Sequence, residues 1–165
     1  IINSHYSHIL SMLLVNNKRE ELAKVAIKGT LNYILSSNHT SLLYEVERVL
    51  QVLFEKYFDI TWTEISALLA SDIDEHFVRL YYTIAFDTLH NPFPGLIFKK
   101  ENIDKIIDWC KNHPNFVYKI MAFAPLTEGD VLSNPVMMLL DNYGSDKMVR
   151  MALSDKLGTF SGPES

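Results

Sequence analysis

The chain has 165 residues, 48% of them hydrophobic, 21% charged and 12% aromatic, a composition that excludes a disordered tail, a collagen-like fibre and a low-complexity linker. Fifteen Lys and Arg against twenty Asp and Glu give a net charge of −5, which weighs against general binding to a phosphate backbone. Area scaling at this length allows about 70% of the unfolded surface to be buried in a single domain, and no apolar run approaches the ~20 residues that a membrane-spanning helix needs.

All six prolines lie at or beyond Pro92, and residues 1–91 hold one glycine, Gly29. A stretch with so few breakers reads as long helices. The first, about 3–16, carries Ile9, Met12 and Leu13 with Asn3 or Ser4 as cap. The second, about 18–36, has Leu22, Val25, Ala26, Gly29 and Tyr33 on one face and Ile27, Leu31, Ile34 and Leu35 on another. Two apolar faces predict a helix between two neighbours, with Gly29 permitting a close approach. The third, about 40–57, has the strongest 3.6-residue stripe: Leu42, Leu43, Val46, Val49, Leu50, Leu53 and Phe54. The fourth, about 61–71, is predicted to start at a Thr61 cap with Glu64 at capping-box spacing. The fifth, about 73–90, carries Ile73, Phe77, Leu80, Tyr81, Ile84 and Ala85 behind an acidic first turn.

Asn91-Pro92-Phe93-Pro94-Gly95 is predicted to be a loop, because each proline disfavours helix in the residue before it. Four more helices follow, at about 101–112, 114–124, 134–143 and 146–157. Pro114 and Pro135 fall in first turns, Gly144 and Gly158 act as stops, and Ser145 caps the last helix. No alternating run of β-branched residues predicts a strand. The total is about nine helices and no sheet.

The last four helices show an internal correspondence. A shift of 33 residues places Ile103, Ile106, Ile107 and Cys110 on Val136, Leu139, Leu140 and Tyr143; a shift of 32 places Phe116, Val117, Ile120 and Met121 on Met148, Val149, Ala152 and Leu153. A period in the low thirties with two helices per unit is characteristic of stacked helical hairpins, with a compact helical bundle as the competing architecture.

Chemistry-bearing groupings are sparse. The single cysteine, Cys110, cannot form an intrachain disulfide and lies on an apolar stripe, so it reads as a buried small hydrophobe in a reducing, cytoplasmic setting. His5 and His8 share a helical face, but no further metal ligand is placed beside them. Asp72-Ile73-Asp74-Glu75-His76 starts like a calcium loop and then fails, with Phe77 at the sixth position and Thr83 at the twelfth. Ser161 sits among turn residues without nucleophile-elbow spacing. No catalytic residue, metal or cofactor is expected. Trp62 and Tyr81 fall on buried stripes. Trp109 and Tyr82 lie just off theirs, and with Phe93 and Phe160 they are the candidate partner-binding aromatics.

Several pieces of the C-terminal part carry a family resemblance: Trp109-Cys110-Lys111-Asn112-His113-Pro114, Leu132-Ser133-Asn134-Pro135, the run from Leu139 to Asp146, Ala152-Leu153-Ser154 and Gly158-Thr159-Phe160-Ser161. Residues 101–162 resemble the helical-repeat C-terminal regions of large bacterial multidomain proteins, including defence-type NTPases. The resemblance implies a HEAT-like solenoid acting as sensor or scaffold beside an effector domain, and it carries over no functional residue.

The sequence thus predicts an all-α chain, an α-solenoid of stacked antiparallel helical hairpins. It would be one continuous domain, with N-terminal repeats over 1–91, a Pro/Gly loop over 92–100 and C-terminal hairpins over 101–165. The start at Ile1 and the stop after Gly162-Pro163 read as a piece of a longer cytoplasmic protein. The expected function is non-catalytic protein–protein recognition, with a protein or another domain of the same chain as partner and no membrane. Two alternatives stay open. A nucleic-acid-binding module would need Lys99, Lys100 and Lys105, with Lys111 and Lys119, to converge on one face. A small all-α enzyme would need a pocket uniting groups such as His76 or His90 with Asp87.

Overall fold

A computed structural model describes residues 4–16, 19–36, 42–86, 91–126 and 134–161, and among them there is helix and no strand. The helices are α1 Ser4–Asn16, α2 Glu20–Ser36, α3 Leu42–Lys56, α4 Phe58–Leu69, α5 Asp74–Leu80, α6 Phe93–Ile97, α7 Ile103–Asn112, α8 Val117–Phe123, α9 Asn134–Tyr143 and α10 Lys147–Ser161. The all-helical expectation therefore holds. The chain divides into two compact units, Ile1–Ile84 and Ala85–Ser165.

In the first unit α1 lies along α3 and α2 along α4, while α2 also touches α3 and α5. The predicted stripe of α3 is buried from Val46 on, with Val46, Val49, Leu50, Leu53 and Phe54 all nearly inaccessible; the side chains of Leu42 and Leu43 lie outside the described residues. On α2 the buried residues are Ala23, Ala26, Ile27, Thr30, Leu31 and Ile34, which follow the single i, i+3, i+4 stripe of a one-sided helix. Of the two expected apolar faces, the one through Ile27, Leu31 and Ile34 is buried, whereas on the other only Ala26 is, and Val25 is 69% exposed. Gly29 is exposed too, and no heavy atom lies within 4 Å of where its Cβ would stand. The close approach predicted there is absent from this unit. Glycine at that point costs helix stability and gains nothing in packing, so Gly29→Ala is expected to stabilise the protein by about 0.5–1 kcal/mol. Chemical denaturation of dilute protein, followed by circular dichroism, checks this.

The predicted Thr61 cap is also corrected. Helix α4 starts at Phe58, with a single residue between it and the end of α3, and that residue, Tyr57, makes the bend (φ −133°, ψ 44°). Thr61 is a buried residue of the first turn whose Oγ1 donates to Tyr57 O at 2.8 Å and approaches Leu53 O at 3.1 Å. Tyr57 fixes the bend from the other side. Its Oη donates to Leu14 O at 2.8 Å and accepts from the Arg19 backbone N–H at 3.1 Å, so the end of α1 and the start of α2 are bound to the α3–α4 joint. Tyr57→Phe leaves a buried carbonyl and an amide without that hydroxyl. It is expected to destabilise the protein by about 1–3 kcal/mol, measured by urea denaturation.

Helix α5 is shorter than the 73–90 helix predicted. After Leu80 the backbone widens into a π-helical turn over Tyr81–Ala85.

In the second unit the largest departure is α6, which occupies the expected Pro/Gly loop. Pro92 stands at its N-cap and Pro94 in its first turn, where a missing N–H removes no helical hydrogen bond. Asn91 Oδ1 accepts the Phe93 N–H at 3.0 Å, and Phe93, Pro94 and Ile97 are buried. That burial outweighs the local preference of a residue before proline. Downstream, α8 lies along α10, and α9 touches both. The predicted cap and stop of the last helix both change. Asp146 Oδ1, not Ser145, accepts the Met148 N–H at 2.8 Å, and α10 continues through Gly158 to Ser161.

Candidate partner-binding surface

Tyr82 is the one predicted aromatic that the described structure places at the surface, with 62% of its area exposed. The π-helical turn explains its position. An extra residue in the turn shifts the side chains that follow, so Thr83, Ile84 and Ala85 go inward while Val78, Tyr82 and Phe86 stay exposed. Tyr82 meets Tyr81 edge-on, with centroids 5.4 Å apart and planes at 78°. Tyr81 is half-buried and lies 6.3 Å from Phe77. The result is a short aromatic ledge with Tyr82 outermost.

Two other candidates are corrected. Trp109 is only 8% exposed and Phe93 is fully buried. On α7 the buried residues are Ile106, Trp109 and Cys110, so the inward stripe is turned by part of a residue spacing from the one drawn through Ile103 and Ile107. Trp109 stacks on His113 at 4.5 Å and 20°, and His113 Nδ1 lies 2.9 Å from Trp109 O. Trp62, expected in the core, is there, stacked on Phe58 at 6.1 Å. Phe160 belongs to α10, but its side chain lies outside the described residues.

The lysine face is corrected in one member. Lys100, Lys105 and Lys111 are exposed and Lys99 half-buried. Lys119 is only 1% exposed, its ammonium 4.7 Å from the centroid of the Phe116 ring. It cannot join the other four against a phosphate backbone.

The groups weighed for catalysis or metal binding are dispersed. His90 and Asp87 lie outside the described residues, as does the side chain of His5. His8 is exposed, its Nδ1 3.0 Å from Arg48 Nη1. Asp74 and Glu75 occupy the first turn of α5, and Glu75 pairs with Arg79 at 3.0 Å, the ordinary use of acids at a helix start. His76 is half-buried, and its Nδ1 has no hydrogen-bond partner among the described residues. No group of three or more His, Cys, Asp or Glu among the described residues could hold a metal ion.

Burial perturbs three groups. It pushes the Cys110 thiol up to about 12, far from the thiolate that reactive cysteines need. It also raises Tyr143, with the neighbouring Cys110 adding to the effect. It lowers Lys156 to about 8, and the Lys156 ammonium donates to Ala122 O at 2.8 Å in the last turn of α8. Sequence reasoning passed over Lys156, although it sits on the stripe Val149, Ala152, Leu153, where a cation is out of place. Among the described residues no helix is long and apolar enough to cross a membrane.

The chain matches no protein-family model, no curated protein and no solved structure. The aromatic ledge and the packing of the helices are therefore what bears on function.

Proposed function

We propose that this chain is a non-catalytic helical-repeat scaffold or sensor module that recognises a protein partner within a larger bacterial protein. The observation that carries the reading is alternate-helix packing. Helix α1 lies on α3 and α2 on α4, and in the second unit α8 lies on α10. Contact between every second helix is how successive antiparallel hairpins shield one another in a HEAT-like α-solenoid. Burial along the internal correspondence agrees at three of its eight pairs and differs at the other five, among them buried Met121 against half-buried Leu153 and half-buried Phe116 against exposed Met148. Ile106 and Leu139 are both buried, Ile107 and Leu140 both half-buried, Val117 and Val149 both buried. Stacks of this kind leave the outer helix faces available to partners, and Tyr82 on the aromatic ledge is the anchor, since exposed tyrosines are favoured at interface hot spots.

A photo-crosslinking residue in place of Tyr82 is expected to trap one defined protein or domain when carried in the protein that contains this chain. Tyr82→Asp is expected to weaken that contact at least about tenfold without changing helicity. Crosslinks that return no specific protein, or binding untouched by Tyr82→Asp, would overturn the assignment.

A further inference from the structure

The acids of this chain are unevenly placed. Residues 57–98 hold six Asp and Glu against one base, Arg79, while the rest of the chain balances fourteen of each sign. The whole net charge of −5 therefore falls on the stretch that contains α4, α5 and the π-helical turn with Tyr82. Acids suit the first turn of α5, but a helix start does not explain forty-two residues without a lysine. Two of the acids already have a base: Glu75 Oε1 lies 3.0 Å from Arg79 Nη2, and Glu64 Oε1 lies 4.0 Å from Lys28 Nζ. Asp72 and Asp74, both exposed, pair with no base among the described residues. Asp74, Val78 and Tyr82 follow an i, i+4, i+8 row, which turns about 40° per step in an α-helix, and Asp74 precedes Tyr82 by about 12 Å. Along that row Val78 is 45% exposed and Tyr82 62%. Tyr82 meets Tyr81 at 78° rather than in a stack, so Tyr81 covers at most one face of the outer ring.

Taking Tyr82 as the partner anchor proposed above, on which this depends, we infer that its occupant is a basic protein segment. One Arg or Lys lies over the Tyr82 ring with its aliphatic stem on Val78, and a second basic side chain meets Asp72 and Asp74. Charge selects this occupant over the others. A nucleic acid or an acidic protein would meet two uncompensated carboxylates, and a second copy of this face would bring like charges together. A purely apolar partner would strip water from Asp72 and Asp74 without pairing them. A cation, by contrast, is attracted to the face of a tyrosine ring, and an arginine stacked there still offers N–H donors to a carboxylate.

The probe is fluorescein-labelled octa-arginine, with octa-glutamate as control, followed by fluorescence anisotropy against the full chain. Octa-arginine is expected to bind saturably in about 50 mM salt and at least about tenfold more weakly in about 300 mM, because exposed charges are screened. Octa-glutamate is expected not to bind. Asp72→Lys with Asp74→Lys should weaken the binding of octa-arginine at least about tenfold, and Tyr82→Ala about two- to fivefold. None of these should unfold the chain, since all three side chains are exposed. Asp104→Lys with Asp108→Lys, exposed on α7, changes the net charge by the same amount and should leave the affinity within about twofold. Octa-arginine that does not bind, an α7 pair that weakens binding as much as the Asp72 pair, or an affinity indifferent to Tyr82→Ala would each overturn the inference. A photo-crosslinker at position 82 that traps its protein equally well after Asp72→Lys with Asp74→Lys would overturn the basic partner alone and leave Tyr82 as an anchor.

Discussion

Phe93→Ala is expected to destabilise the second unit by about 3–5 kcal/mol, the cost of emptying a fully buried aromatic site. Phe93 has no accessible surface, and it sits in the first turn of a helix only five residues long. A helix that short does not hold itself together in water. What holds α6 is the burial of Phe93, Pro94 and Ile97 and the polar clamp that starts it. Asn91 Oδ1 takes the Phe93 N–H at 3.0 Å, while Asn91 Nδ2 donates to Phe86 O at 3.3 Å. At the other end Asn102 Nδ2 donates to Leu96 O at 3.2 Å, carrying the chain into α7. Removing the ring therefore loses both its transfer energy and the reason for the turn. Hydrogen exchange is expected to show lost protection at Leu96 and Phe98, whose amides are the ones bonded to Pro92 O and Pro94 O. Phe93→Leu keeps much of the volume and should cost clearly less than Phe93→Ala. If Phe93→Ala left urea stability unchanged, Phe93 would be a surface residue after all.

That example shows where local sequence signals stopped being sufficient. Wherever a helix was long and one-sided, periodicity located it: the stripe from Val46 to Phe54 is buried residue for residue, and 134–143 was delimited without error. Such helices are fixed by their own pattern of burial, which the sequence displays directly. The misses are places where tertiary contacts outweigh a local preference. Pro92 and Pro94 argued for extended backbone, yet two prolines at the front of a helix forfeit nothing there. Thr61 has the residue type and spacing of a cap, but Tyr57, bonded to Leu14 and Arg19, moves the start of α4 back to Phe58. On α7 a shift of part of a turn decided the fate of Trp109. The stripe through Ile103 and Ile107 and the one through Ile106, Trp109 and Cys110 differ by less than a residue's rotation, and only packing distinguishes them. Tyr82 was legible because it lay off the stripe under either reading. The π-helical turn that presents it has no sequence signature of its own.

Lys156→Met is expected to raise stability at pH 7 by about 2 kcal/mol and to remove a pH dependence between 8 and 9. Burial lowers Lys156 from 10.5 to about 8, so the folded state binds its proton less tightly than the unfolded chain does. Below pH 8 both states are protonated and the full cost of holding the ammonium in its half-buried place against Ala122 O is present. As pH rises from 8 towards 10.5 the folded protein releases the proton while the unfolded chain keeps it, so the unfolded state binds more protons and stability increases with pH. A shift of this size corresponds to about 3 kcal/mol, of which the lost hydrogen bond to Ala122 O returns about 1 kcal/mol. Cys110 acts in the opposite direction and later. Its thiol is raised from 9.0 to about 12, so its contribution is intact below 9 and is lost as pH climbs from 9 towards 12. Tyr143, also raised, adds to the same decline above 10. The wild type should therefore gain stability from pH 8 to 9, level off between about 9 and 10.5 where the two effects oppose each other, and lose stability above that. Lys156→Met should be flat from 7 to 9 and then fall, and Cys110→Ala should keep rising past pH 9, where the wild type levels off. Urea denaturation at pH 7, 8, 9, 10 and 11 distinguishes the three. A wild-type curve without a rise between 8 and 9 would mean that the ammonium of Lys156 reaches solvent and leaves α8 without its cationic cap.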